Sequence, residues 1–278
     1  MTIGEFWEQY YRQVLYTLMI LFTVFVFVRP LGLPLAVRDN SVKFYEAVEA
    51  MPPGSIVTID VKYGGGAWGE VGSANIAFVK HCIKKDLRMV FFSIYLEGPL
   101  MLEKVLTGAG GKEALGVYGV DWVNLGYMPG VEAALASMMQ SPDGWHKTFE
   151  YDHYGNKIST LPLMEDLWDW HDVDLAAEFI TGSLLPTVNQ WYVPYKTPII
   201  CSAIGANTPE TKMYYDAGQV VGYLGSMRGS AEYEKLSGFY GDALSSVEAL
   251  SLVLCLAAVS IIVGNIEDRW KSSKAGGS

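Results

Sequence analysis

Ser55-Ile56-Val57-Thr58-Ile59-Asp60-Val61-Lys62-Tyr63-Gly64-Gly65-Gly66-Ala67-Trp68-Gly69 is the stretch that decides the fold of this 278-residue chain. Its first nine residues are rich in β-branched side chains and read as a strand, which the glycines end. A helix follows, with Ile76, Val79, Cys82 and Ile83 on one face. Leu87–Tyr95 reads as a second strand directly after Lys84-Lys85-Asp86. Strand, helix and strand form a βαβ unit, whose two strands run parallel.

The alternation extends both ways. Upstream, Ser41–Met51 carries Val42, Tyr45, Ala47 and Val48 at helical spacing, and Pro52-Pro53-Gly54 closes it. Downstream, a helix over Pro99–Leu106 is broken at Gly108-Ala109-Gly110-Gly111. A strand over Trp122–Tyr127 and a helix over Val131–Met139 come next. Asp174–Ile180 reads as a helix, Pro198–Ile204 as a buried strand, Pro209–Ala217 as a helix and Gln219–Leu224 as a short last strand. The expected fold class is α/β, a Rossmann-like, doubly wound, mostly parallel sheet.

Outside this block lie two apolar runs, Val14–Val28 and Ala249–Ile266. Crossing about 30 Å of hydrocarbon takes roughly 20 helical residues, because lipid offers the backbone no hydrogen-bond partner. Each run reaches that length with its neighbours. The organisation expected is a tail and transmembrane helix over 1–32, a soluble domain over 33–242, and a transmembrane helix and tail over 243–278. A signal peptide is the alternative for the first run, but the residues before it hold no Lys or Arg up to Arg12, and Arg29-Pro30 stands where a small-residue cleavage site belongs. Trp7, Tyr10 and Tyr11 suit a headgroup level. Pro30 and Pro34 make the segment after Arg29 an exit linker. Arg269, Lys271 and Lys274 follow the second run, whereas Gly238–Glu248 before it holds no Lys or Arg. The expectation is a two-pass protein with cytoplasmic termini and an extracytoplasmic domain.

Charge narrows the partners. The central block carries fifteen Lys and Arg against twenty-five Asp and Glu, a net −10. That disfavours nucleic acid and flat adsorption on anionic lipid, both of which depend on clustered cations. Cys82, Cys201 and Cys255 are the three cysteines, and they read as small buried or membrane-embedded groups without a disulfide framework.

Gly64, Gly65, Gly66 and Gly69 fit G-x-G-x-x-G between a strand and a helix, a spacing that in dinucleotide sites lets backbone N–H groups approach a pyrophosphate. Trp68, Glu70 and the position of Glu97, the first acidic residue at the end of the next strand, depart from that pattern. The competing reading is a structural or partner-contact loop. Gly110-Gly111-Lys112-Glu113 has the outline of a phosphate loop, but Glu113 stands where Ser or Thr would hold magnesium, and a helix cap is the stronger reading.

Asp152, His153, Glu165, Asp166, Asp169, His171, Asp172 and Asp174 gather potential metal ligands, yet at no recognised spacing. Trp168 and Trp170 interleave with them, which favours a protein contact, and no metal or other cofactor is expected. Arg228, between Gly225 and Gly229, is a second contact candidate, paired with a carboxylate. Asp60 is the polar misfit of the first strand, and His81 reads as a surface helix residue. No G-x-S-x-G elbow and no Cys–His pair appears, so no catalytic residue is assigned.

Two functions follow from these readings. The first is a non-enzymatic membrane-anchored scaffold that self-associates or assembles with other membrane proteins, through Trp168, Trp170 and Arg228. The other is a membrane-tethered sensor or binding module holding a small ligand, such as a nucleotide, at Gly64–Gly69 and Glu97. A hydrolase using Asp60, Glu70 or Glu97 is a third, less supported option.

Overall fold

The computed structural model describes the backbone of residues 3–29 and 31–275 and the side chains of residues 9–29 and 31–266. Pro30 and the side chains of Trp7, Arg269, Lys271 and Lys274, used in the reading above, lie outside these. The described residues divide into two units, the central block Leu35–Leu244 and the two end segments.

In the central block, α2 (Asp39–Glu49) leads to β1 (Ile56–Lys62), α3 (Ser73–Lys84), β2 (Arg88–Ser93), α4 (Gly98–Gly108) and β3 (Trp122–Tyr127). The chain continues through α5 (Glu132–Gln140), α6 (Gly144–Thr148) and α7 (Pro162–Glu165) to β4 (Leu175–Ile180). Then come α8 (Leu185–Thr187), α9 (Val193–Tyr195), β5 (Ile199–Ala203), α10 (Thr208–Asp216), β6 (Gly222–Gly225) and α11 (Ser226–Ser237). The strands make one six-stranded sheet in the order β3-β2-β1-β4-β5-β6, with every neighbouring pair parallel.

Side chains alternate across each strand, so each strand feeds two cores. Val57, Ile59, Val61 and Tyr63 join Phe44 and Val48 of α2, Phe78 and Cys82 of α3, and Leu102 and Val105 of α4. On the opposite face Ile56, Val90, Phe92, Val123 and Ile180 pack with Leu135 and Met138 of α5, Trp145 of α6, Val188 and Trp191. Buried on both faces, β1 and β4 have no exposed residue. That explains the one element read wrongly: Leu175-Ala176-Ala177-Glu178-Phe179-Ile180 is built of good helix formers and lacks polar alternation, yet it is a central strand. Tertiary packing overrides propensity there.

The end segments hold α1 (Ile3–Val28) and α12 (Asp242–Ala275). Gln9–Val28 and Asp242–Ile266 are both long and apolar enough to cross a bilayer, and 20 residues of helix span about 30 Å. Tyr16, Ile20, Leu21, Leu254, Ile261 and Ile262 on them are exposed. The Glu248 carboxylate, one turn and a half into α12, accepts hydrogen bonds from Leu31 N (2.7 Å) and Leu33 N (2.8 Å), just beyond the end of α1. Within the central block, the buried Glu234 accepts from Ala243 N and Leu244 N and so caps the start of α12. Burial pushes the Glu234 carboxyl above its ordinary pKa, against the pull of those backbone donors.

Candidate functional site

Travelling out from β1, the chain builds β2 and β3 on one side and then returns to lay β4, β5 and β6 on the other. Connections leaving β1 and β4 therefore diverge, and a crevice opens at their carboxyl ends. It has a volume of about 280 Å³ and is lined by Gly64, Gly66, Glu70, Tyr95, Glu97 and Thr181, among others. The helical segments after β1 and after β4 each contain a wide π turn, Trp68–Gly72 and Val188–Tyr192. Such turns recur beside functional sites.

The glycine loop and Glu97 come together as a unit. Glu97 Oε2 accepts a hydrogen bond from Gly65 N at 3.2 Å. A Cβ on Gly64 would collide with that same carboxylate, so the absence of a side chain at Gly64 makes room for Glu97. Gly65 and Gly66 open the helical turn, whereas Gly69 lies a turn further on, within the π segment; of the four glycines, Gly64 and Gly66 line the crevice and Gly65 and Gly69 do not. Across the crevice, Glu70 Oε2 accepts from Gly205 N at 2.7 Å, which joins the loop after β1 to the end of β5. The walls thus offer two carboxylates, a phenol and a hydroxyl, and none of the described lining side chains is cationic. Lys104 lies 4.1 Å over the Trp68 ring.

Beneath the crevice, on the face of the sheet shared with Trp191, sits a charged cluster. Asp60 of β1 is the register partner of Glu178 of β4. Both side chains are about 1% exposed. Lys62, two residues along the same face, pairs closely with Glu178, stands 3.5 Å from Asp60 Oδ2 and donates to Thr187 Oγ1 at 2.8 Å. Burial drives the Asp60 carboxyl pKa well above the usual carboxylate range, and the neighbouring Glu178 adds to this while Lys62 opposes it. Burial works against the Lys62 ammonium, but Glu178 and Asp60 hold its pKa above the ordinary lysine value. Sequence reasoning singled out Asp60 but missed Lys62 and Glu178. Only the pairing of β1 with a strand more than a hundred residues away brings them together.

Other singled-out residues have local work. Trp168 is 44% exposed and stacks on His146 at 4.2 Å, and Trp170 stacks on His171 and Tyr195. Arg228 donates to Glu232 Oε1 (3.0 Å) and to Ala36 O (3.3 Å), and Arg38 shares the same buried Glu232. Asp152 organises a turn by accepting from Tyr154 N, Asn156 N and the Tyr118 hydroxyl, and these donors hold its pKa down against burial. Among the described residues no group of three or more His, Cys, Asp or Glu is placed to hold a metal ion. Lys112 lies 4.5 Å over the Tyr154 ring and 3.0 Å from Glu103, beside a shallow cavity of about 420 Å³ at edge strand β3.

His81 is not at the surface. Its ring is fully buried, with Nδ1 2.8 Å from the Tyr233 hydroxyl and Nε2 3.0 Å from Glu49 Oε1. Burial lowers its pKa, with Glu49 opposing. The apolar positions of α3 trace only one face, whereas α2 and α11 cover the side that carries His81. Glu49 answers with a carboxyl pKa of about 2, held down by the Tyr45 hydroxyl first and then, against some desolvation, by His81 and Lys85. No protein-family model matches this chain, and no curated protein is similar to it in sequence.

Proposed function

We propose that the chain is a two-span membrane protein whose domain, Rossmann-like and doubly wound, binds a small ligand in the crevice at the carboxyl ends of β1 and β4. The observation that carries this reading is the placement of the crevice at the point where the strand order reverses, where open α/β sheets take their ligands. The ligand is uncharged or cationic and rich in hydrogen-bond donors, because the walls present Glu70 and Glu97 and no cation. A nucleotide is disfavoured: the Gly65 N–H that would meet a phosphate already donates to Glu97. Arg269, Lys271 and Lys274 after the second span favour cytoplasmic termini and an extracytoplasmic domain.

Thermal-shift measurements on the solubilised full chain test this. Amines, polyols and amino acids are set against nucleotides and sugar phosphates, on wild type and on Glu97→Gln. A donor-rich ligand is expected to raise Tm in the wild type and to lose most of that shift in Glu97→Gln. A flat response to every class rejects the reading. Assembly through the domain surface is the second reading, supported by the exposure of Trp168. A native mass equal to a single chain in mild detergent rejects it.

A further inference from the structure

The Asp60–Lys62–Glu178 cluster has an unbalanced composition. Two carboxyl groups lie directly opposite each other on adjacent central strands, both about 1% exposed, and Lys62 is the only cation within ion-pair distance of either among the described residues. The other groups around them carry no positive charge. Thr58 precedes Asp60 on the same face, and its hydroxyl has no partner. Thr187 Oγ1 accepts a hydrogen bond from Lys62. Cys201, the register partner of Glu178 on β5, is a buried thiol whose pKa burial pushes up, with Glu178 adding to the effect. Glu210 acts electrostatically on Cys201 from α10 and adds only negative charge. Neither Glu178 oxygen accepts a hydrogen bond from the described residues, nor does Asp60 Oδ2; Glu178 Oε2 and Asp60 Oδ2 meet Lys62 as ion-pair partners only.

Two like charges forced together out of water do not both persist; one takes up a proton, as in paired carboxylates generally. We propose that Asp60 and Glu178 retain one proton between them at neutral pH, making the cluster a buried proton-binding site composed of one ammonium, one carboxylate and one carboxylic acid. Lys62 pairs closely with Glu178 and stands 3.5 Å from Asp60, so the acid form resides chiefly on Asp60. The direction of the Asp60 pKa shift agrees. The proton site touches the crevice at two points. Asp60 Oδ1 accepts from Ile94 N at 3.4 Å, next to Tyr95. The Lys62 carbonyl accepts both the N–H (3.0 Å) and the hydroxyl (3.1 Å) of Thr181. Its existence does not depend on the crevice taking a ligand.

Infrared spectroscopy of the full chain in lipid nanodiscs at neutral pH tests the proposal through the carbonyl stretch of protonated carboxyl groups. The wild type is expected to show an acid band that disappears in Asp60→Asn. It also disappears in Glu178→Gln, because Asp60 then becomes the sole counter-ion of Lys62 and ionises. Glu234→Gln, altering the other buried carboxyl with a raised pKa, is expected to leave that band in place. A wild type without the band, or a band that survives both cluster substitutions, overturns the proposal. Stability supplies a second readout. The unfolded chain releases the Asp60 proton above about pH 4 whereas the folded state keeps it, so wild type loses stability relative to Asp60→Asn as pH rises to neutrality. The Tm difference between the two proteins is expected to grow in favour of Asp60→Asn over that range, and a difference that does not change with pH counts against the site. Should Asp60→Asn not fold, the band in the wild type and in Glu178→Gln decides.

Discussion

The two faces of β1 are built on different principles. Val57, Ile59, Val61 and Tyr63 on one side are apolar or nearly so and sit among Phe78, Phe91 and Phe179. Ile56, Thr58, Asp60 and Lys62 on the other put two ionisable groups, and a hydroxyl with no partner among the described residues, into an interior that is as dry. The hydrophobic effect accounts for the first set. It does not account for the second, since replacing a buried ion cluster by well-packed apolar residues is often neutral or stabilising. The lesson is that burial says where a residue sits and not why that residue type is there. The charged face reaches the crevice through Ile94 and Thr181, and the apolar face packs against α2, α3 and α4.

Breaking the charged face at its cation is expected to have the largest effect. Lys62→Met leaves the Glu178 carboxylate without its counter-charge, and loss of one partner from a buried pair costs about 3–5 kcal/mol. Chemical denaturation would read this, and a loss under about 1 kcal/mol would mean that water already reaches the cluster. On the apolar face Phe78→Ala removes a fully buried ring in contact with Phe44 and Phe179, for a loss of about 3 kcal/mol or more. Unlike that of Asp60→Asn, its effect is expected to be the same across pH 4–8, and a pH-dependent loss would blur the distinction between the faces. The smallest effect is expected far from both, at Arg228→Ala. Glu232 keeps Arg38, the lost pair is half exposed, and the change in unfolding free energy stays within about 1 kcal/mol.

The parts of the fold legible in the sequence are those in which local and tertiary preference agree. Strands β1 and β2 are β-branched or aromatic, and β3 begins and ends on aromatic residues. β4 was hidden by alanines and a glutamate that propensity assigns to a helix. The helical stretch after it was hidden by Pro186 and Pro194, each of which stands at the first or second position of a short helix, where a missing N–H does no harm. Part of the crevice was readable, because Gly64, Gly66 and Glu97 follow directly from the loop and the end of the next strand. Thr181 was not. It reaches the crevice only through the pairing of β4 with β1, a contact between distant parts of the chain that no local pattern encodes.

The hold of Glu248 on Leu31 and Leu33 has a consequence for the chain as a polymer. Residues 31–33 and 248 are joined at one place, so everything between them is a closed loop of some two hundred residues for as long as those hydrogen bonds hold. A looped chain has fewer disordered arrangements than one with free ends. For as long as that closure holds, the end segments act on the chain between them as a clasp does on a necklace, raising its stability by impoverishing the unfolded state.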